Sequence, residues 1–264
     1  MPNEPIIYLR WQDRYTRRWF VVGRLRLVNS LYEFVYTQGY REAQQVAAMQ
    51  PISGFPDTSI KYLSESLFPI FQNRLMSQNR EEHSGQLKRL GLQPHTNDPL
   101  LILARSRGGK VTDPFDVIPA PMELISEGRR TYAVEFFLHG LRYMPQGSQE
   151  ASEKVQPGSR LFLLRDLQNP KDSNALMLKD ENNHLFGYVP RYYSPDVLSI
   201  VETEGPASIE VTIRHLNPSS APPSERMFCR LTATWPKDFK PFRAPEYQSL
   251  LSSDDDQPWS RIAS

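Results

Sequence analysis

One stretch decides the fold of the second half of the chain: Arg165-Asp-Leu-Gln-Asn-Pro-Lys-Asp-Ser-Asn-Ala-Leu-Met-Leu-Lys179, followed by Leu185-Phe-Gly-Tyr-Val-Pro-Arg191. Residues 169–174 combine proline with Asn and Asp, whose short side chains bond nearby backbone groups and hold a loop rigid. An apolar strand pattern follows, and residues 181–183 supply a turn before the return strand. The pattern predicts a hairpin that displays a rigid polar loop, a common place for ligand binding.

Composition bounds the class of protein. The chain has 264 residues, which is enough for two ordinary domains, and a net charge of +1, which excludes a strong global field. Cys229 is the only cysteine, so no internal disulfide forms. Residues 1–5 lack the features of a signal peptide, and no apolar run is long enough to span a membrane. These features predict a cytoplasmic protein.

The first part of the chain predicts a small sheet with helices. Apolar, β-prone runs predict three consecutive strands at residues 6–11, 19–28 and 32–36. Helix-forming patterns with caps and stop signals follow at residues 40–49, 64–76, 81–90 and 98–105. We therefore expect an α+β domain over residues 1–117.

The second part predicts a β-rich domain. Residues 118–131 are rich in proline and charge and predict a linker. Strand patterns then cover residues 132–142, 161–164, 209–216 and 227–234, besides the hairpin described above, and residues 195–201 predict a short helix. We expect a domain over residues 132–251, in which residues 239–251 pack on the outside, and a flexible tail at residues 252–264.

The motif positions of this second part resemble those of the HIRAN domain. Gly140-Leu-Arg-Tyr143 is followed by Asp-x-x-Asn-Pro-x-Asp-x-Asn-Ala and then by Gly-Tyr-Val-Pro-Arg, in the order typical of that family. The likeness covers about residues 132–215. In fork-remodelling relatives this domain is an OB-like β-barrel that binds single-stranded DNA and captures the free 3′ end, so the resemblance implies an OB-like barrel and DNA binding here.

The resemblance also implies roles for eight residues. Tyrosines would stack on bases, cations would meet phosphates, Asp172 would accept a hydrogen bond from a terminal 3′ hydroxyl, and asparagines would hold the loop. The implied DNA-binding residues are Arg142, Tyr143, Asn169, Lys171, Asp172, Asn174, Tyr188 and Arg191. Eukaryotic relatives that bind 3′ ends have tyrosine in place of Lys171 and histidine in place of Tyr188. Without the resemblance, Asn169, Pro170, Asp172 and Asn174 are more commonly turn-forming residues than ligand contacts. A core position for Tyr188 and a solvated Arg191 are as open as DNA contact.

The first part resembles the N-terminal subdomain of HipA-type serine/threonine kinases. The matching features are an aromatic strand at residues 32–36, Leu67-Phe-Pro-x-Phe-x-Asn-Arg-Leu75 and Asp98-Pro-Leu-x-x-Leu-Ala104. No kinase glycine-rich loop, catalytic loop or Asp-Phe-Gly occurs in the sequence. This likeness implies an alternative function: a protein-interaction or regulatory subunit of a HipA-like kinase in a toxin–antitoxin system.

Catalytic and metal motifs are missing from the sequence. The five histidines have no ligand spacing, and residues 105–112 lack the spacing of a phosphate-binding loop. We expect a non-catalytic protein without cofactor or metal. It would bind single-stranded or end-bearing DNA in repair or defence, with a helicase or HipA-like kinase as possible partners.

A second candidate surface lies in the first part. It is a basic cluster interleaved with aromatic residues, comprising Trp11, Arg14, Arg17, Arg18, Trp19, Phe20, Arg24 and Arg26. Strand alternation puts Arg24 and Arg26 on one face, where they could track a phosphate backbone. A solvated sheet edge protected by charge is the alternative.

Overall fold

The computed structural model describes residues 5–110, 112–251 and 260–263. The described residues form two compact units. The first draws on residues 5–85, 94–110, 112–121, 240–251 and 260–262, and the second on residues 86–93, 122–239 and 263. The chain is α+β, with an antiparallel sheet in each unit. No helix in the described ranges is long and apolar enough to cross a membrane.

The sheet of the first unit is an antiparallel meander with one added strand. Its strands are β1 (Ile7–Gln12), β2 (Trp19–Val28), β3 (Leu31–Tyr36), β4 (Tyr62–Ser64) and β5 (Phe115–Pro119), in the order β4-β3-β2-β1-β5. The first helices are α1 (Gln38–Ala47), α2 (Pro69–Gln72), α3 (Glu82–Arg89) and α4 (Pro99–Ser106). In the core of this unit the Phe34 ring contacts the rings of both Phe55 and Phe71.

The helix predicted within residues 64–76, with Ser66 as its cap, is shorter than predicted. Residues 62–64 pair with β3 as β4, and the helix begins only at Pro69. The cause is local, because a residue that precedes proline is excluded from the helical region, and Phe68 is accordingly extended with ψ 144°. Four residues of helix then place Phe71 in the core.

The segment after residue 239 also differs from the prediction. Residues 240–251 belong to the first unit rather than to the outside of the barrel. The rings of Phe242 and Tyr247 stack on each other and both pack against Tyr8 of β1. Apolar burial therefore fixes this segment to the first sheet. Residues 252–259 and 264 of the predicted tail lie outside the described residues, while β13 (Ser260–Ala263) is a strand rather than a tail.

The second unit contains the OB-like barrel. Its strands are β6 (Met122–Ser126), β7 (Arg129–Phe137), β8 (Arg160–Arg165), β9 (Leu176–Lys179), β10 (Leu185–Tyr188), β11 (Ile209–Leu216) and β12 (Met227–Thr234). They pair in the order β10-β9-β8-β11-β12-β7-β6. A bridge between His139, just after β7, and Tyr188 at the end of β10 connects β10 back to the segment that follows β7 and closes the barrel. The helices α5 (Gln146–Ser152) and α6 (Ser194–Glu204) complete the unit.

The linker predicted at residues 118–131 is wrong. It contains the end of β5, all of β6 and the start of β7. Ile125 pairs with Arg130 and Ser126 with Arg129, so Glu127 and Gly128 form a two-residue hairpin loop. Both loop residues have positive φ, 49° and 75°, as a type I′ turn requires. The prolines and charges that indicated a linker lie at strand ends and in this turn.

Candidate nucleic-acid interface

The polar loop, residues 166–174, is held by its own side chains. The Asp166 carboxylate accepts a hydrogen bond from Asn169 Nδ2 at 3.1 Å. Asn169 Oδ1 accepts from the backbone N–H groups of Lys171 and Asp172 at 3.0 and 3.1 Å, and Asp172 Oδ1 accepts from the N–H of Asn174 at 3.0 Å. Each bond spans two or three residues, which is the geometry of Asx turns. The expectation that Asn169 holds this loop therefore agrees with the geometry, whereas Asn174 contributes its backbone.

The loop lies beside the point where the barrel closes. The backbones of His139 and Tyr188 exchange two hydrogen bonds, of 3.0 and 2.7 Å. Gly187 makes this approach possible: its φ is 142°, and a Cβ there would lie 2.3 Å from the carbonyl oxygen of His139. Gly140 lies against the Tyr188 ring, since a Cβ on it would come within 3.2 Å of that ring. Both glycines of the motif thus serve close packing.

Tyr188 ties the barrel closure to the polar loop. Its hydroxyl donates to the Asp166 carboxylate at 2.9 Å, on the same oxygen that Asn169 binds. Burial, aided by the Asp166 carboxylate, raises the pKa of the Tyr188 hydroxyl, and the hydrogen bond from Tyr188 is the main cause that lowers the pKa of Asp166. Tyr188 is half-buried and bonded, so its first role in this geometry is to brace the loop.

Four of the eight residues implied by the resemblance are exposed: Arg142, Tyr143, Lys171 and Arg191. Tyr143 is 71% exposed, in a single turn of 3-10 helix (Leu141–Tyr143) that directly follows Gly140. The Arg142 guanidinium lies 4.5 Å over the Tyr143 ring and also bonds its hydroxyl. This region therefore offers three cations and one aromatic ring to solvent.

Asp172 is already engaged. Besides accepting from Asn174, its carboxylate lies 3.5 Å from the Nε of Arg191, and its side chain is only 16% exposed. A carboxylate has about four lone-pair sites, so it can accept a further bond, yet its present partners give it a structural role. Asp172 connects Arg191 to the polar loop, and Gly140, which directly precedes Leu141 and Arg142, lies against the Tyr188 ring that bonds this loop.

Two residues that support the site, Asp166 and Gly187, are not among the site residues predicted from the sequence. Asp166 anchors both Tyr188 and Asn169, and Gly187 permits the backbone contact with His139. The spacing Asp166-x-x-Asn169 carried the signal for Asp166, because an Asp side chain commonly bonds groups two or three residues away. Nothing in the local sequence indicates that Gly187 meets His139, a contact across 48 positions.

The basic cluster of the first unit is not one surface. Arg24 is only 2% exposed, and Arg26 pairs with Glu33 at 2.6 Å, which Lys61 also contacts. The strand that carries them, β2, lies between β3 and β1, so the sheet-edge reading is wrong as well. Only the turn between β1 and β2 keeps its cations exposed.

Other reactive groups give no further site. Cys229 is buried in β12, and burial raises the pKa of its thiol. Over the part of the chain that the structure describes, no group of three or more His, Cys, Asp or Glu side chains is arranged to hold a metal ion.

Comparison with known proteins finds one family model that matches most of the second unit. Residues 131–233 match the HIRAN domain family, so the likeness extends beyond residue 215 to include nearly all of β12. The chain is similar to the crystal structure of a protein from Lactobacillus plantarum, with 16% identity over 39% of this chain and 98% of that one, and a TM-score of 0.32. It is also similar to the HIRAN domain of human HLTF, with 18% identity over 41% of this chain and 80% of that one, and a TM-score of 0.29. No curated protein sequence matches the chain.

The family match confirms the HIRAN resemblance of the second unit and supports nucleic-acid binding by it. It does not extend to residues 1–117, for which the likeness to HipA-type kinases stays a prediction.

Proposed function

We propose that the second unit binds single-stranded DNA without catalysing a reaction, and that the surface around the barrel closure is its binding site. One observation carries the proposal: Arg142, Tyr143, Lys171 and Arg191 are exposed beside a loop that hydrogen bonds hold rigid. Sequence-independent strand binding needs cations for phosphates and an aromatic face for a base. This surface supplies both.

The roles divide between contact and support. Tyr143 is the proposed base-stacking residue, because its ring is far more exposed than that of Tyr188. Arg142, Lys171 and Arg191 are the proposed phosphate ligands. Tyr188 and Asp166 hold the polar loop through the hydrogen bond between them, so their effect on binding is indirect.

Recognition of a 3′ end is the finer part of the proposal. A terminal hydroxyl could donate to Asp172, whose carboxylate lies next to Arg191, a ligand for the neighbouring phosphate. Such a site would serve DNA repair or defence, where free strand ends are the substrate.

The test is fluorescence anisotropy with a labelled single-stranded DNA oligonucleotide and the full chain. We expect Arg142→Ala/Tyr143→Ala to weaken binding roughly tenfold or more, because one base stack contributes roughly 1–3 kcal/mol. Arg160→Ala/Phe162→Ala is the matched control, since Arg160 likewise lies over an exposed ring, at 5.6 Å, in the same unit. Equal losses in both variants would refute this location.

End recognition has a separate test. The same oligonucleotide with a free or a phosphate-blocked 3′ end should bind with different affinities, and Asp172→Asn should abolish the difference. Equal affinities for the two ends with the unaltered chain would leave strand binding in place and reject end capture.

A regulatory subunit of a HipA-like kinase is the second candidate function, and one observation favours it. The first unit has a groove of about 550 Å³ lined mostly by apolar residues, including Trp11, Ile52, Ile70 and Phe115. A groove of this kind suits an apolar segment of a partner protein. Association with a purified HipA-type kinase that is lost in Ile70→Lys would support this function, and no association would reject it.

A further inference from the structure

The turn between β1 and β2 is exposed and rich in arginine, and it has no role in the proposed function. We call residues 13–19 the hairpin tip. Its residues 14–19 are all exposed, and Tyr15 is 77% exposed. Arg14, Arg17 and Arg18 lie within five positions of one another, and Asp13 is the only acidic residue of the tip.

The Asp13 carboxylate is engaged in hydrogen bonds that shape the turn. It accepts from the backbone N–H and the hydroxyl of Thr16 at 2.9 and 2.7 Å, and the side chain is buried. The backbone of Asp13 exchanges hydrogen bonds with Arg17 and Arg18, each of 2.9 Å. The arginines are therefore presented on a rigid frame, which lowers the entropy lost when they bind a ligand.

The aromatic rings near the tip support arginines. Arg14 lies 4.5 Å over the Tyr15 ring, Arg18 lies 4.7 Å over Phe20, and Arg10 lies 4.6 Å over Trp19. The planar guanidinium groups match the geometry of phosphate oxygens, so phosphates are suitable ligands for the tip. Arg18 also pairs with Glu42, whereas Arg17 has no side-chain partner among the described residues.

We propose that the hairpin tip is a second DNA contact, which binds the phosphate backbone of double-stranded DNA through Arg14 and Arg17. Two paired strands lie about 4.8 Å apart. A ribbon of this width enters a major groove about 12 Å wide, where phosphate rows flank it on both sides. This contact lies in the first unit and does not depend on the proposed single-strand site.

The test is the salt dependence of binding to a labelled 20-base-pair duplex by the full chain. Each phosphate neutralised contributes about 0.9 to the slope of log K against log salt, so Arg14→Gln/Arg17→Gln should reduce that slope by about 1.8. We also expect the affinity at low salt to fall roughly tenfold. Arg14→Lys/Arg17→Lys keeps the charge and should retain most of the slope.

The control removes two other exposed cations of the same unit, in Arg80→Gln/Lys110→Gln, and should leave the slope within about 0.5 of the unaltered value. An unchanged slope in the tip variant, or the same loss in the control, would overturn the proposal. Polyglutamate that displaces the duplex as well as unlabelled duplex does would overturn it too, because the tip would then bind any polyanion. Thermal unfolding should be unchanged in all variants.

The two sites can be separated. Arg142→Ala/Tyr143→Ala should lose single-strand binding and keep duplex binding, whereas the tip variant should show the reverse. If single-strand binding is unaffected by its variant, the duplex proposal for the hairpin tip still stands, and the converse also holds.

Discussion

The polar loop and the hairpin tip both display arginines beside a turn that a carboxylate fixes, but different parts of the chain hold the two turns in place. In each, a carboxylate accepts backbone and side-chain hydrogen bonds and thereby fixes the turn: Asp166 and Asp172 in the loop, and Asp13 in the tip. In each, arginines are displayed beside the fixed turn. Rigid presentation of cations suits phosphate binding, because less side-chain and backbone entropy is lost on contact.

The difference lies in what holds the frame. The Tyr188 hydroxyl comes from another strand, 22 positions from Asp166, and the backbone of Tyr188 is bonded to His139, so the polar loop depends on barrel closure. The backbone and side-chain bonds that shape the hairpin tip join residues 12–18 to one another. Mutations at distant positions should therefore disturb the polar loop and leave the hairpin tip intact.

Gly187→Ala should have the largest effect of the variants that test this difference. The added Cβ would lie 2.3 Å from the His139 carbonyl oxygen at a φ of 142°, so closure must shift, and we expect a loss of about 3 kcal/mol of stability in the second unit. Hydrogen exchange should show lost protection at the amides of His139 and Tyr188. The amides of Thr16 and Arg17 should keep theirs.

Gly147→Ala is the control for that variant. A Cβ there meets nothing within 4 Å, and the position lies in α5, so stability should rise by about 0.5–1 kcal/mol. Full protection of His139 and Tyr188 in Gly187→Ala would mean that the barrel closes without this glycine, and the dependence of the loop on closure would be rejected.

The contrast also explains what the sequence could predict. Strand alternation and turn residues predicted β1 to β3 and the β9–β10 hairpin, because these depend on neighbours along the chain. The β6–β7 hairpin was missed, since its prolines and charges resemble a linker until pairing is known. Packing of Phe242 and Tyr247 on Tyr8 joins residues more than 230 positions apart, which no local pattern encodes.

The same limit applies to the candidate site. The Asx bonds of residues 169–174 follow from spacing, and they were predicted. Burial of Arg24 and the bracing position of Tyr188 arise from tertiary contacts. A motif therefore indicated which residues gather at the site, and only the structure separates the exposed ones from the supporting ones.

A smaller effect should separate two tyrosines. Tyr188→Phe removes the hydroxyl that Asp166 binds, and we expect a loss of about 1 kcal/mol, the usual contribution of one hydrogen bond. Tyr15→Phe removes only an exposed hydroxyl that contacts Arg14, so stability should be unchanged. Chemical denaturation of both variants compares them. Equal losses of stability in the two variants would mean that the Tyr188 hydroxyl does not brace the polar loop.

Acid should loosen both turns. Hydrogen bonds from Thr16 lower the pKa of Asp13, and the bond from Tyr188 lowers the pKa of Asp166, each from an ordinary value of 3.8. A lowered pKa in the folded state stabilises the turn above pH 3.8, and this contribution is lost as the pH falls through the folded-state pKa. Exchange rates below pH 3.8, corrected for intrinsic rates, should rise at both turns. Asp166→Asn should remove the change only in the polar loop.

The smallest effect should come from the ion pairs at the two surfaces. Arg191 lies 3.5 Å from the Asp172 carboxylate with its own side chain 76% exposed, and Arg18 pairs with Glu42 in solvent. Ion pairs at the surface contribute about 0–1 kcal/mol, so Arg191→Gln and Arg18→Gln should each shift the unfolding midpoint only slightly. Arg191→Gln should nevertheless weaken single-strand binding, because its charge would face a phosphate. A large loss of stability in Arg191→Gln would instead make Arg191 part of the frame, and any loss of DNA binding would then follow from a disordered polar loop.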